Sequence, residues 1–166
     1  MPFQSSVRID QTTGVVGDII IDGPMRGVPA ILSSTLAANN VIGRAFRHVA
    51  DDDMKVTADD ATNMNFAGIL ANSKVYANDG TLTGGTLAPT LTLANDVQVE
   101  LVTMTSGIVV SLSTSADIGD NVFYADATGI LAASDQDTLT DHTIIPRARV
   151  VRRNISAAGL AIIELT

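Results

Sequence analysis

Apolar residues in this chain come in short runs separated by clusters of Gly, Asp, Asn and Thr. Runs of this length bounded by turn formers predict strands. They fall at residues 16–21, 41–49, 66–70, 91–93, 97–103, 107–112, 121–125, 144–151 and 160–165. Val97-Gln98-Val99-Glu100-Leu101 alternates with period two, so one face of that strand is expected in solvent. Thr105-Ser106-Gly107 predicts a hairpin between two strands, and Asp126-Ala127-Thr128-Gly129 predicts another. One short helix is expected over Ser33-Ser34-Thr35-Leu36-Ala37-Ala38, stopping at Asn39-Asn40. Many short strands and little helix predict an all-β fold, a sandwich or a small barrel.

The first 15 residues are polar and aperiodic and read as a flexible N-terminal arm, with 16–166 as a single β-rich domain. Residues 77–86, small and Gly-rich, read as an exposed loop. A faint echo links the two halves. Arg44-Ala45 begins 26 residues after Asp18 of Gly17-Asp18, and Arg147-Ala148 begins 27 residues after Asp120 of Gly119-Asp120. A duplicated β unit and two strands under similar demands both account for it.

Composition sharpens the β reading. The 166 residues include 16 Val, 15 Ile and 18 Thr, which suit a pleated, half-buried surface. With 16 Asp against 2 Glu, and 8 Arg against 2 Lys, little exposed helix is expected. Arg over Lys also leans towards protein interfaces. The net charge of -8 opposes nucleic acid as the main partner. No apolar run is long enough to span a membrane as a helix. The N-terminus lacks the charged and apolar regions of a signal peptide.

The candidate chemistry is thin. No cysteine is present, and no phosphate-binding glycine motif occurs. His48 and His142 are the histidines, and neither lies near a Gly-x-Ser-x-Gly elbow; both read as surface or interface residues. Asp51-Asp52-Asp53 and Asp59-Asp60 lack calcium-loop spacing and read as a solvated turn rather than a metal site. No catalytic, cofactor or metal residue is assigned. Arg147, Arg149, Arg152 and Arg153 form a basic row, with Arg147, Arg149 and Val151 on one strand face. With no aromatic residues interleaved to stack bases, the row reads as a protein-pairing surface. Arg8, Arg26 and Arg44 join it as partner-binding candidates.

The order of several turn-plus-strand segments is informative. Met1-Pro2-Phe3 leads through Gly14-Val15-Val16-Gly17-Asp18-Ile19 to Asp22-Gly23-Pro24, and then to Ala37-Ala38-Asn39-Asn40-Val41-Ile42-Gly43-Arg44-Ala45-Phe46. Phe66-Ala67-Gly68-Ile69-Leu70, Leu87-Ala88-Pro89-Thr90-Leu91-Thr92-Leu93 and Ile118-Gly119-Asp120-Asn121-Val122-Phe123-Tyr124 follow. This succession resembles the structural cement proteins of tailed bacteriophages over most of the chain; the run from Asp51 to Asp60 lies outside the resemblance. The resemblance implies a jelly-roll-like or barrel-like capsid decoration protein, without enzymatic activity, on the exterior of the virion. Its implied partner is an HK97-like major capsid protein, whose expanded shell it would stabilise by bridging capsomers. It would act as a homodimer or homotrimer. The competing readings are a β-rich receptor- or glycan-binding module of a tail or head fibre, and a hydrolase built on His48 and His142.

Overall fold

The structure is a computed structural model that describes residues 14–50, 52–59, 65–72, 92–153 and 158–166. Its strands are β1 (Arg26–Leu32), β2 (Ala45–Val49), β3 (Asp52–Thr57), β4 (Phe66–Leu70), β5 (Gln98–Leu112), β6 (Asn121–Ala125), β7 (Leu131–Ser134), β8 (His142–Arg153) and β9 (Gly159–Leu165). The small-barrel form of the all-β expectation is the one the chain adopts. The expected arm lies almost wholly outside the described residues, as does the loop at 77–86.

Strand pairing closes two rings that share β5. In the second half, β5 pairs with β7 in parallel, and β7–β6, β6–β8, β8–β9 and β9–β5 pair antiparallel. In the first half, β1 pairs with β3 in parallel, and β3–β2, β2–β4, β4–β5 and β5–β1 pair antiparallel. The two circuits have the same order and the same strand senses, so β1 to β5 repeat as β5 to β9. Register agrees as well. Leu70↔Leu101 in the first ring matches Val150↔Ile163 in the second, and Ala45↔Ile69 matches Asn121↔Arg149. Closure leaves neither ring with an open edge along these strands.

Each ring has its own core. Ala30, Leu32, Phe46, Val56, Leu70 and Leu101 fill the first. Their register equivalents Val110, Leu112, Val122, Leu131, Val150 and Ile163 belong to the core of the second. The chain is therefore a duplicated β unit. The Gly17–Gly119 echo, however, pairs the wrong glycines: Gly43 and Gly119 are the equivalent pair, each two residues before β2 or β6.

The 15 residues of β5 span about 50 Å at a strand's rise per residue. Its first half serves one ring and its second half the other. This overturns the hairpin expected at Thr105-Ser106-Gly107. The strand runs through that triplet with a register shift between Thr105 and Ile108. Gly107 serves close approach instead: a Cβ there would lie 2.5 Å from Ile21 Cδ1.

Three other expectations change. Residues 16–21 form no regular strand; Ile19 makes a single bridge to Ile108. The helix expected at 33–38 is only a 3-10 turn, Ala37–Asn39, without a side-chain cap. The acidic run read as a turn contains β3, because Val56 and Thr57 are buried against β2.

Candidate interaction surface

The rings meet at the turn between β6 and β7. Ala45 N–H donates to Gly129 O at 3.0 Å, and Arg44 Nη1 donates to Thr128 O at 3.1 Å. Arg44 Nη1 also donates to Asn39 Oδ1 at 2.7 Å, and burial lowers the pKa of this guanidinium. Arg47 is fully buried and reaches from β2 into the same turn. Its Nη2 donates to Asp126 O and, at 3.4 Å, to Ala58 O. Its Nη1 lies 3.8 Å from Asp126 Oδ1, and its guanidinium carbon sits 5.3 Å from the centre of the Tyr124 ring. Asp126 in turn accepts from Thr143 Oγ1 at 2.7 Å. Burial pushes the Tyr124 phenol up, against the lowering effect of nearby Arg47. A buried charge is tolerated only when paired and hydrogen-bonded. Arg47 meets that demand in part: Nη2 is hydrogen-bonded and Nη1 faces the Asp126 carboxylate, but Nε and Nη1 have no hydrogen-bond partner among the described residues. Its contacts with Asp126 and Tyr124 tie the two rings together.

The candidate partner residues are dispersed. Arg26 opens β1 and is exposed, with its C=O accepting from Thr103 Oγ1. Arg147, Arg149 and Arg152 are exposed along β8. A register shift between Val150 and Arg152 inserts Val151 as an extra, half-buried residue. The face therefore carries Arg147, Arg149 and Arg152, and Val151 is not the third member. Arg147 itself adopts φ +59, an uncommon conformation for a non-glycine residue. Among the described residues, no carboxylate lies within ion-pair distance of these three guanidiniums. Arg8 and the side chain of Arg153 lie outside the described residues.

A second feature had no clear signal in the sequence. Val15, Ile19, Ile20, Ile21, Met25 and Val28 are all exposed. Val15 to Ile21 belong to a stretch that runs antiparallel beside the middle of β5, where Ile20 N–H donates to Gly107 O at 3.1 Å, and Val28 lies on β1. Such a ridge is the kind of apolar surface that protein partners cover.

Among the described residues the two histidines do not assemble an acid–base pair. His48 lies on β2, whereas His142, at the start of β8, has Nδ1 2.7 Å from Thr140 O. Asp117, Asp120 and Asp135 line a cleft of about 400 Å³ with Thr114, Ser115 and Ser134. Burial raises the Asp120 carboxyl, and the charge of Asp135 adds to that. Among the described residues no group of three His, Asp or Glu is arranged to hold a metal ion.

The comparisons with known proteins point to a structural phage protein. The family model described as Phage_cement, structural cement protein (E217 gp24/Pam3 gp6), matches residues 3–166. No curated protein matches the chain. A solved structure titled "The capsid of Myoviridae Phage XM1" contains a chain with the same fold, at TM-score 0.63 and 15% identity. The similarity covers 100% of this chain and 98% of that one.

Proposed function

The chain belongs to the phage structural cement proteins, and from that premise we propose that it binds the outer surface of an expanded, HK97-like capsid shell and bridges neighbouring capsomers. It is a structural protein of the virion. The observation that carries the finer reading is the set of exposed apolar side chains Val15, Ile19, Ile20, Ile21, Met25 and Val28 beside β5, the strand the two rings share. A ligand that binds only the expanded lattice stabilises it by mass action, so complementary area suffices. Two rings on one continuous strand, tied by Arg47, offer one body with two faces to neighbouring capsomers. Arg26 on β1, and Arg147, Arg149 and Arg152 on β8, supply exposed cations for acidic patches of the shell. The protein acts in this reading as a homodimer or homotrimer, without nucleic acid, membrane or cofactor.

The fibre reading gains nothing from the geometry. Phe46, Phe123 and Tyr124 are buried and Phe66 is half-buried, so among the described residues no aromatic platform faces solvent for a sugar. The test is reconstitution. Expanded shells lacking the protein should take up the purified chain and then withstand heat and low salt better. Shells that bind it with no gain in robustness would overturn the stabilising role.

A further inference from the structure

The duplication allows equivalent loops of the two rings to be compared atom by atom. Gly43 N–H donates to Leu70 O at 2.8 Å, and Leu70 N–H donates to Arg44 O at 3.0 Å. In the second ring Gly119 N–H donates to Val150 O at 2.8 Å, and Val150 N–H donates to Asp120 O at 3.1 Å. Both glycines have positive φ, +80 and +96, as this loop requires. The local sequences are Ile42-Gly43 and Ile118-Gly119. The agreement extends outwards: Ala58 N–H donates to Ser34 Oγ at 3.1 Å, and Ala133 N–H donates to Thr114 Oγ1 at 2.9 Å.

The loops differ in what covers them. Val16 and Gly17 lie on the first so closely that a Cβ on Gly43 would sit 2.1 Å from Val16 Cγ1. A Cβ on Gly17 would sit 2.4 Å from Ile42 Cγ2. Asn72 holds this cover in place, its N–H donating to Gly17 O at 3.0 Å and its Nδ2 to Asp18 Oδ1 at 2.8 Å. Over the second loop there is no cover among the described residues. Nothing approaches within 4 Å of a Cβ built on Gly119, and Ile118 is 70% exposed. The turn needs the glycine, but nothing in the turn needs an isoleucine in water.

We infer that the Ile118–Gly119 loop seats an extended segment of the shell protein with the chemistry of Val16-Gly17-Asp18: a β-branched residue, a glycine, then a carboxylate. This rests on the cement reading for the identity of the partner. The glycine admits the backbone to the loop, as Gly17 does at Ile42. The carboxylate has a cation to meet: exposed Arg152 follows the extra residue Val151 on β8, the strand whose Val150 is bonded to Gly119 and Asp120. Val16-Gly17-Asp18 of a second copy is not free to serve as the donor. Its own Gly17 is buried, with its N–H bonded to Val109 O at 2.7 Å and its C=O to Asn72.

The experiment measures binding to expanded shells that lack the protein, with the wild-type chain as reference. Ile118→Asp should weaken binding about tenfold or more, as loss of a central apolar anchor does. Arg152→Ala should weaken it about threefold, the size of a rim contact. Both side chains are exposed, so melting temperatures should be unchanged. A photo-crosslinking residue at position 118 should label a glycine-containing segment of the shell protein. Wild-type-like binding by Ile118→Asp, or crosslinks that reach only a second copy of this chain, overturns the inference and leaves the cement reading standing. Failure of the wild-type chain to bind at all removes the cement reading, and the partner with it.

Discussion

The two rings of this protein share a plan and differ in finish. Inward positions stay apolar in both: Leu32 and Leu112, Val56 and Leu131, Ala58 and Ala133. Other positions diverge freely. Ile69, buried in the first ring, corresponds to exposed Arg149 in the second, and Arg44 corresponds to Asp120. Arg47, which engages the neighbouring ring, corresponds to Phe123. A closed five-strand ring thus constrains what points inward and the glycine that opens β2 or β6. What points outward is left for partners, including the other ring.

The strongest way to break this comparison is to cut matching core side chains. Leu101→Ala in the first ring and Ile163→Ala in the second should each cost about 2–5 kcal/mol. Because β5 belongs to both rings, each variant should lower one cooperative melting transition. Calorimetry showing two separate transitions, one per variant, would mean that the rings are independent units. Next in size is the junction. Arg47→Ala removes the buried cation opposite Asp126 and should cost about 3 kcal/mol, read by chemical denaturation. Arg47→Met keeps the volume without the charge and should cost clearly less. A Met variant as stable as the wild type would show that packing alone joins the rings.

How far the sequence disclosed this depended on where each signal came from. Strands 66–70 and 121–125 match β4 and β6 residue for residue, because their apolar runs are bounded by local turn formers. β5 was cut in two because Thr105-Ser106-Gly107 has turn chemistry, whereas Gly107 is there for Ile21, which packs on it from 86 residues away. β1 was missed because Arg26, Gly27 and Pro29 weaken the strand pattern, and its pairing to β5 compensates. The arginine row on β8 was legible by alternation; the bulge that exchanges Val151 for Arg152 was not. Arg47 gave no sign of burial, since its partners lie in a turn 79 residues away. The sequence shows the duplication only in the wrong register, because likeness at the equivalent loops is confined to Ile42-Gly43 and Ile118-Gly119.

Those two glycines sharpen the comparison at a smaller scale. Gly119→Ala meets nothing in space and bears only the strain of positive φ, about 1 kcal/mol. Gly43→Ala bears the same strain and also collides with Val16, so it should cost at least twice as much. Equal thermal shifts would show that Val16 yields freely and that the cover over the first loop is loose.

The smallest effect separates the rings by pH. Burial alone would raise the Asp59 carboxyl, yet N–H donors from Leu36 and Thr35, with Thr57 and Asn39, hold it below its ordinary value. A depressed carboxylate contributes stability above the unfolded pKa and loses it as pH falls through the folded one. In the second ring Asp120 is raised, so its ionisation opposes folding once pH exceeds the carboxylate range. Asp59→Asn should therefore lower the melting temperature at pH ~7, and Asp120→Asn should raise it. The amide oxygen that Asp120→Asn introduces can still accept from Asp117 N–H, as Asp120 Oδ2 does at 2.8 Å. Near pH ~3 both differences should shrink towards zero from opposite sides. Shifts of the same sign in the two variants would mean that the two carboxylates do not stand in opposed environments, and that the divergence between the rings does not extend to their electrostatics.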